Sequence, residues 1–239
     1  MPDDRLPSPE RVLVVAAHPD DIEFGAAGTV ARWVREGAEV HYLVLTRGDK
    51  GSDDPSADPA RIAEVRMAEQ RAAAAAIGVS GVEFLDEPDG QMEASLRLRE
   101  RITHAIRALR PEIVMTHDPT VLFVNNEWVN HPDHRVTGQV TVDAVFPTAR
   151  DPLNFRHHLE QGLSPWKVAE LFLWSTNEAN QIVDISDTLD LKLAALSCHA
   201  SQFHDFGEVA RWLRRRAEEL GERTGYRAAE GFRRVMLAR

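Results

Sequence analysis

The chain has a single cysteine, Cys198, in 239 residues. No intrachain disulfide can form, and no cysteine cluster can hold a metal. Such usage fits a reducing compartment. No apolar run approaches the roughly 20 residues that a membrane helix needs. The opening Met-Pro-Asp-Asp-Arg has no apolar stretch behind it. The expectation is a cytoplasmic protein without membrane insertion. Positive charge is also in deficit. Lys and Arg number 28 against 38 Asp and Glu, a net charge of −10. An acidic chain is a poor general binder of phosphate backbones, so nucleic acid is not an expected partner. Internal repeats and low-complexity linkers are lacking too.

What remains is ordinary globular material, 43% hydrophobic and 28% charged, enough to bury a full core. The reading is one domain over 1–239 with a basic C-terminal segment from about 205. Between Arg211 and Arg239 there are nine arginines against four glutamates. That segment reads first as a solvated helix face. An intersubunit surface in a homo-oligomer and an anchor for an anionic substrate are the alternatives.

The order of elements points to an α/β fold. Short continuous apolar runs at Arg11–Ala17, Glu39–Leu45 and Glu112–Thr116 have the character of strands buried on both faces. Val82–Leu85, Val168–Trp174 and Gln181–Ile185 read as further strands. Helices are predicted at Gly25–Glu36, Ala60–Ile77 with Gly78 as its stop, Ser95–Leu109, Asp133–Val145 and Ser186–Ser197. Gly48–Pro59 reads as a long exposed loop. Alternation of this kind gives a Rossmann-like, largely parallel sheet flanked by helices, with the active site at the C-terminal ends of the strands. Trp33, Trp174 and Trp212 are expected in the core.

Two polar clusters follow predicted strands. Directly after the first comes His18-Pro19-Asp20-Asp21, where a dinucleotide-binding fold would carry glycines. Asn130-His131-Pro132-Asp133-His134 opens a predicted helix. Each places two candidate ligands three residues apart. Together they supply a hydrolytic zinc site, which takes three protein ligands and leaves a position for water. A set of two histidines and one aspartate is the natural choice, with Fe²⁺ or Co²⁺ as substitutes for Zn²⁺. Two acids and a histidine are then left over for proton transfer.

The stretches AHPDDIEFGAAGT, TRGDKGS and HPDHR resemble the zinc N-deacetylases of the PIG-L/LmbE-like family, and the similarity runs over most of the chain. The resemblance implies zinc ligands His18, Asp21 and His134, and Asp20 as general base. It implies that His131 stabilises the oxyanion or protonates the leaving amine, with Asp133 accepting a hydrogen bond from His131 and holding it charged. It further implies Arg66 and Asp89 as sugar contacts. Arg47, after the second strand, is a candidate for a substrate anion or a structural salt bridge. Trp128 and Phe123, in the loop before the second cluster, are candidates for a sugar-stacking wall. His117 and Asp118 are candidates for lining the pocket or capping a strand end. The implied activity is removal of an N-acetyl group from an amino-sugar-containing small molecule. A nucleotide-dependent Rossmann oxidoreductase is the alternative, and it lacks its G-x-G-x-x-G. A non-catalytic metal-binding protein is another, weakened because all six His and Asp residues of the clusters are intact.

Overall fold

The computed structural model describes residues 6–124 and 126–238. In chain order the strands and helices are β1 (Arg11–Ala16), α1 (Asp21–Gly25), α2 (Ala27–Arg35), β2 (Glu39–Thr46), α3 (Pro59–Ile77), β3 (Gly81–Glu87), α4 (Leu96–Leu109) and β4 (Ile113–His117). A two-stranded hairpin of β5 (Phe123–Val124) and β6 (Trp128–Val129) follows, then α5 (Pro132–Asp143) and a short π-helical stretch at Ala144–Ala149. The chain continues through α6 (His157–Glu160), β7 (Glu170–Trp174), β8 (Gln181–Asp184), α7 (Leu189–Ser197), α8 (Phe206–Thr224) and β9 (Ala229–Met236).

The main sheet has seven strands in the order β3-β2-β1-β4-β7-β9-β8. The first five run parallel, and β9 is antiparallel to both of its neighbours. Successive side chains on a strand point to opposite faces, and β1 divides accordingly. Val12, Val14 and Ala16 pack with Val30, Trp33, Leu196 and Leu213 from α2, α7 and α8. Leu13, Val15 and Ala17 pack with Leu98, Ile102 and Val140 from α4 and α5. Burial on both faces is why these strands are apolar throughout. Among the described residues, no helix is long and apolar enough to cross a membrane.

The chain winds outward from β1 in two directions, to β2 on one side and to β4 on the other. The segments leaving their carboxyl ends therefore part, and a crevice opens between them. The first polar cluster leaves β1 there, and His117 ends β4 beside it.

Several elements depart from expectation. The predicted helix Gly25–Glu36 is α2, and an unpredicted short helix, α1, precedes it from inside the polar motif at Asp21, the two separated at Ala26 (φ −145°). The C-terminal segment is more than a solvated helix face. α8 is followed by β9, which inserts between β7 and β8. Arg233 and Arg234 disguise that strand. Arg234 is bonded to Glu170 at 2.6 Å and lies over the Phe172 ring, so its charge is met inside the sheet. Trp33 and Trp174 are buried as expected, but Trp212 on α8 is 45% exposed.

Candidate active site

The turn after β1 is tightly held. Asp20 has φ 93°, a left-handed conformation that costs a non-glycine residue energy and persists where its surroundings enforce it. Two residues of α3 do so. Arg66 donates to Pro19 O at 2.7 Å and to the Asp20 carboxylate at 3.2 Å. Gln70 accepts the Asp20 N–H at 2.9 Å. Arg66 also reaches Gly48 O at 3.1 Å and so ties the loop after β2 to the same turn. At Gly48 and Gly51 a Cβ would lie 2.6 Å and 2.2 Å from this guanidinium, so the loop must be bare there. Behind Gln70, its amide donates to Glu23 at 3.0 Å, and Glu23 meets His199 at 3.2 Å, both fully buried. Burial is the main influence on the Asp20 carboxyl and pushes it up to about 6 against the opposing charge of Arg66.

The two polar clusters converge at the crevice. The His18 ring lies 4.7 Å from that of His131 and 5.4 Å from that of His134, centroid to centroid. His18 Nδ1 is 3.5 Å from Asp21 Oδ2, and its Nε2 faces Asp89 at 3.1 Å and Asp133 at 3.3 Å. Burial opposes charge on this ring, but the bonds to Asp133, Asp21 and Asp89 together raise its pKa well above the usual histidine range. Burial likewise opposes the charge on Asp89. The His18 bond and the Lys50 N–H hold that carboxyl down at about 2.

Asn130 donates its amide N–H to Val121 O at 2.8 Å, so its Oδ1 is the atom that faces His134 Nδ1 at 3.2 Å. Nδ1 therefore donates, and Nε2 is the nitrogen left to face Asp21 Oδ1 at 3.0 Å. Such a pair shares either a proton, on an imidazolium, or a metal ion. Imidazole and carboxylate are suitable donors for a divalent transition metal. Three overlapping groups, His18 with His131 and His134, Asp21 with His117 and His134, and His18 with Asp89 and Asp133, bring one ligand atom from each member within 4.8 Å of the others. The residues fit a metal centre.

His131 and Asp133 do not pair as expected. His131 is the N-cap of α5, and its Nδ1 accepts the Asp133 backbone N–H at 3.2 Å. The Asp133 carboxylate instead accepts from Gly90 N at 2.7 Å and meets the His18 ring. Both side chains lie against the His18 ring and not against each other's polar atoms. Burial, with His18 and His134 adding to it, lowers the His131 pKa. The remaining expected residues lie outside the cluster. Arg47 is paired with Asp86 at 2.9 Å, and Trp128 is 71% exposed on the β5–β6 hairpin.

Sequence reasoning missed Gln70. Its signal was the buried side of α3, where Arg66 and Gln70, four residues apart, interrupt an alanine face. A further His/Glu grouping, Glu100 with His157 and His158, is not equivalent to the centre. His158 Nδ1 faces the Arg107 guanidinium at 3.2 Å, so the proton sits on Nε2 and no ligand atom remains.

An α/β sheet with histidines and aspartates gathered at the carboxyl ends of its strands is the frame of a metal-dependent hydrolase. Residues 13–145 match the family model described as PIG-L, GlcNAc-PI de-N-acetylase. A diacetylchitobiose deacetylase of Thermococcus kodakarensis is 34% identical, over 94% of this chain and 82% of that one. A 1D-myo-inositol 2-acetamido-2-deoxy-α-D-glucopyranoside deacetylase of a Mycobacterium species (strain KMS) is 30% identical, over 80% of this chain and 74% of its own length. The solved structure of N,N′-diacetylchitobiose deacetylase from Pyrococcus horikoshii, bound to its inhibitor MPG, superposes with a TM-score of 0.88 at 32% identity. It covers 95% of this chain and 84% of that one. The chain belongs to the PIG-L family and is an N-deacetylase.

Proposed function

We propose that this chain hydrolyses the N-acetyl amide of a small amino-sugar-containing molecule, using zinc held by His18, Asp21 and His134. The observation that carries the reading is His134 Nε2, the ring nitrogen that Asn130 leaves free, facing Asp21 Oδ1 at 3.0 Å next to the strained Asp20. When bound, the ion supplies Lewis acidity toward an amide carbonyl and toward water.

The protein's own groups divide the remaining work. Asp20 takes the proton from the attacking water. Arg66 and Gln70 keep its carboxylate at the mouth of the turn, so no reorganisation accompanies the transfer. His131 uses Nδ1 to cap α5, which leaves its proton on Nε2. A neutral His131 is thus already a donor to the oxygen on which charge develops, and needs no help from Asp133. Asp133 serves instead to fix the His18 ring and the Gly90 loop. The proton held by Asp20 passes to the departing nitrogen, and acetate and free amine leave.

Asp89 is the proposed contact for sugar hydroxyls, and exposed Trp128 the proposed stacking wall. Arg66 is a proposed sugar contact too, although its guanidinium is engaged by Pro19, Asp20 and Gly48. Arg47, although paired with Asp86, is the proposed contact for a more distant substrate group. The reading carries with it a single domain and a cytoplasmic setting.

The test is amine release from N-acetylglucosamine and N,N′-diacetylchitobiose by zinc-loaded protein. Free amine and acetate in equal amounts are expected. No amine from either sugar, with zinc bound, would overturn the reading.

A further inference from the structure

His117 was a sequence candidate for either lining the pocket or capping a strand, and its geometry assigns it something else. The ring is 2% exposed at the end of β4. It is in register with Trp174 on the neighbouring parallel strand β7, so the two side chains lie on one face of the sheet. The Trp174 indole N–H donates to His117 Nδ1 at 3.1 Å. An indole nitrogen can only donate. Nδ1 is therefore an acceptor, and the proton of the neutral ring is on Nε2.

Nε2 lies 3.2 Å from Asp21 Oδ2. The Ala17 N–H also approaches it, at 3.5 Å, but a protonated nitrogen cannot accept there. Oδ2 is thus engaged by the His117 ring and by the His18 backbone N–H at 2.7 Å, with the His18 ring Nδ1 at 3.5 Å. Oδ1 is left facing His134 Nε2. The His117 ring is also stacked on His134, with centroids 4.2 Å apart and planes at 15°. One imidazole therefore sets the rotation of the Asp21 carboxylate and the plane of the His134 ring.

The arrangement extends back to a glycine. A Cβ on Gly25, at the end of α1, would lie 2.5 Å from Cδ1 of Trp174. The indole reaches His117 because that position is bare.

We propose that His117, locked by Trp174 as the Nε2–H tautomer, is a positioning residue for the metal centre and not one of its ligands. This rests on the metal-centre reading above, although the tautomer itself does not. Asp21 would then hold the ion with Oδ1, the oxygen that His117 does not engage. The Asp21, His117 and His134 group, compact as it is, is resolved into two ligands and their support. Hydrogen-bonded supports of this kind typically contribute roughly 10–100-fold to metal affinity.

The first experiment uses the full chain labelled with ¹⁵N-histidine and freed of metal. Long-range ¹H–¹⁵N correlation is expected to show His117 with the proton on Nε2. On adding zinc, His134 should shift while His117 keeps that proton. A proton on Nδ1, or loss of the Nε2 proton with zinc, overturns the proposal. The second measures zinc affinity by chelator competition in folded variants. His117→Phe keeps an aromatic stack but loses the donor, and is expected to bind zinc 10–100-fold more weakly. His117→Gln restores an N–H and should recover part of the loss. Equal affinity of His117→Phe and wild type contradicts the proposal, and so does a His117→Gln no better than His117→Phe. Wild-type protein that binds no zinc would instead overturn the metal reading and leave the tautomer result to stand by itself.

Discussion

Asp20 combines a left-handed backbone, a half-buried carboxylate and an adjacent arginine. Arg66 and Gln70 hold that conformation against relaxation. Asp20→Asn keeps shape and hydrogen bonding but removes the base. Its turnover should fall by roughly 10²–10⁴-fold while bound zinc, read by elemental analysis, stays at the wild-type level. Near-normal turnover would make Asp20 structural. Gly25→Ala tests the support behind Trp174. The added Cβ must push the indole or shift α1, and overpacking of this kind costs about 1–3 kcal/mol. The denaturant midpoint should drop and zinc affinity should fall with it. The six His and Asp residues of the centre were legible because they fall within two short motifs. The Trp174–His117 contact was not, since strand pairing alone brings together residues 57 positions apart. The expected bond from His131 to Asp133 failed because the helix N-terminus claims the imidazole first.

At the scale of elements, the C-terminal strand ties the sheet to the helix layer near the centre. Glu230 on β9 accepts from Gly28 N at 3.0 Å, from Thr29 N at 2.8 Å and from Thr29 Oγ1 at 2.6 Å, all at the start of α2. Lys192 of α7 reaches the same carboxylate at 2.6 Å and also donates to Phe24 O at 2.9 Å. Lys192 and Glu230 are both buried, so removing the carboxylate strands an ammonium in the interior. Glu230→Ala should lower the unfolding free energy by about 3–5 kcal/mol. Lys192→Met should cost less, because Glu230 keeps three donors. Chemical denaturation measures both, and the reverse order would contradict this account. β1, β2 and β4 were legible as unbroken apolar runs because both faces are covered. β9 was not, since a strand carrying Glu230, Arg233 and Arg234 offers no apolar run. Its charges are met by Lys192 and Glu170, partners distant in sequence. The amphipathic character of α8 is visible in the sequence only as its charged face.

For the molecule as a whole, the sheet order places β1 and β4 side by side at the point where the connections diverge. The crevice is therefore a property of the topology, and the two motifs occupy it because each follows one of those strands. That much could be read from the alternation of elements. A centre built this way joins segments from β1, β4 and α5, and metal should hold them together. Zinc at 100 times its dissociation constant should stabilise the fold by about 2.7 kcal/mol, seen as a raised melting temperature that chelation reverses. The most direct test of the account is amine release from N-acetylglucosamine by protein stripped of metal and then titrated with zinc. The account predicts no turnover when stripped, and activity that rises to a plateau at one zinc per chain. Full activity in protein shown by elemental analysis to hold no metal would contradict it.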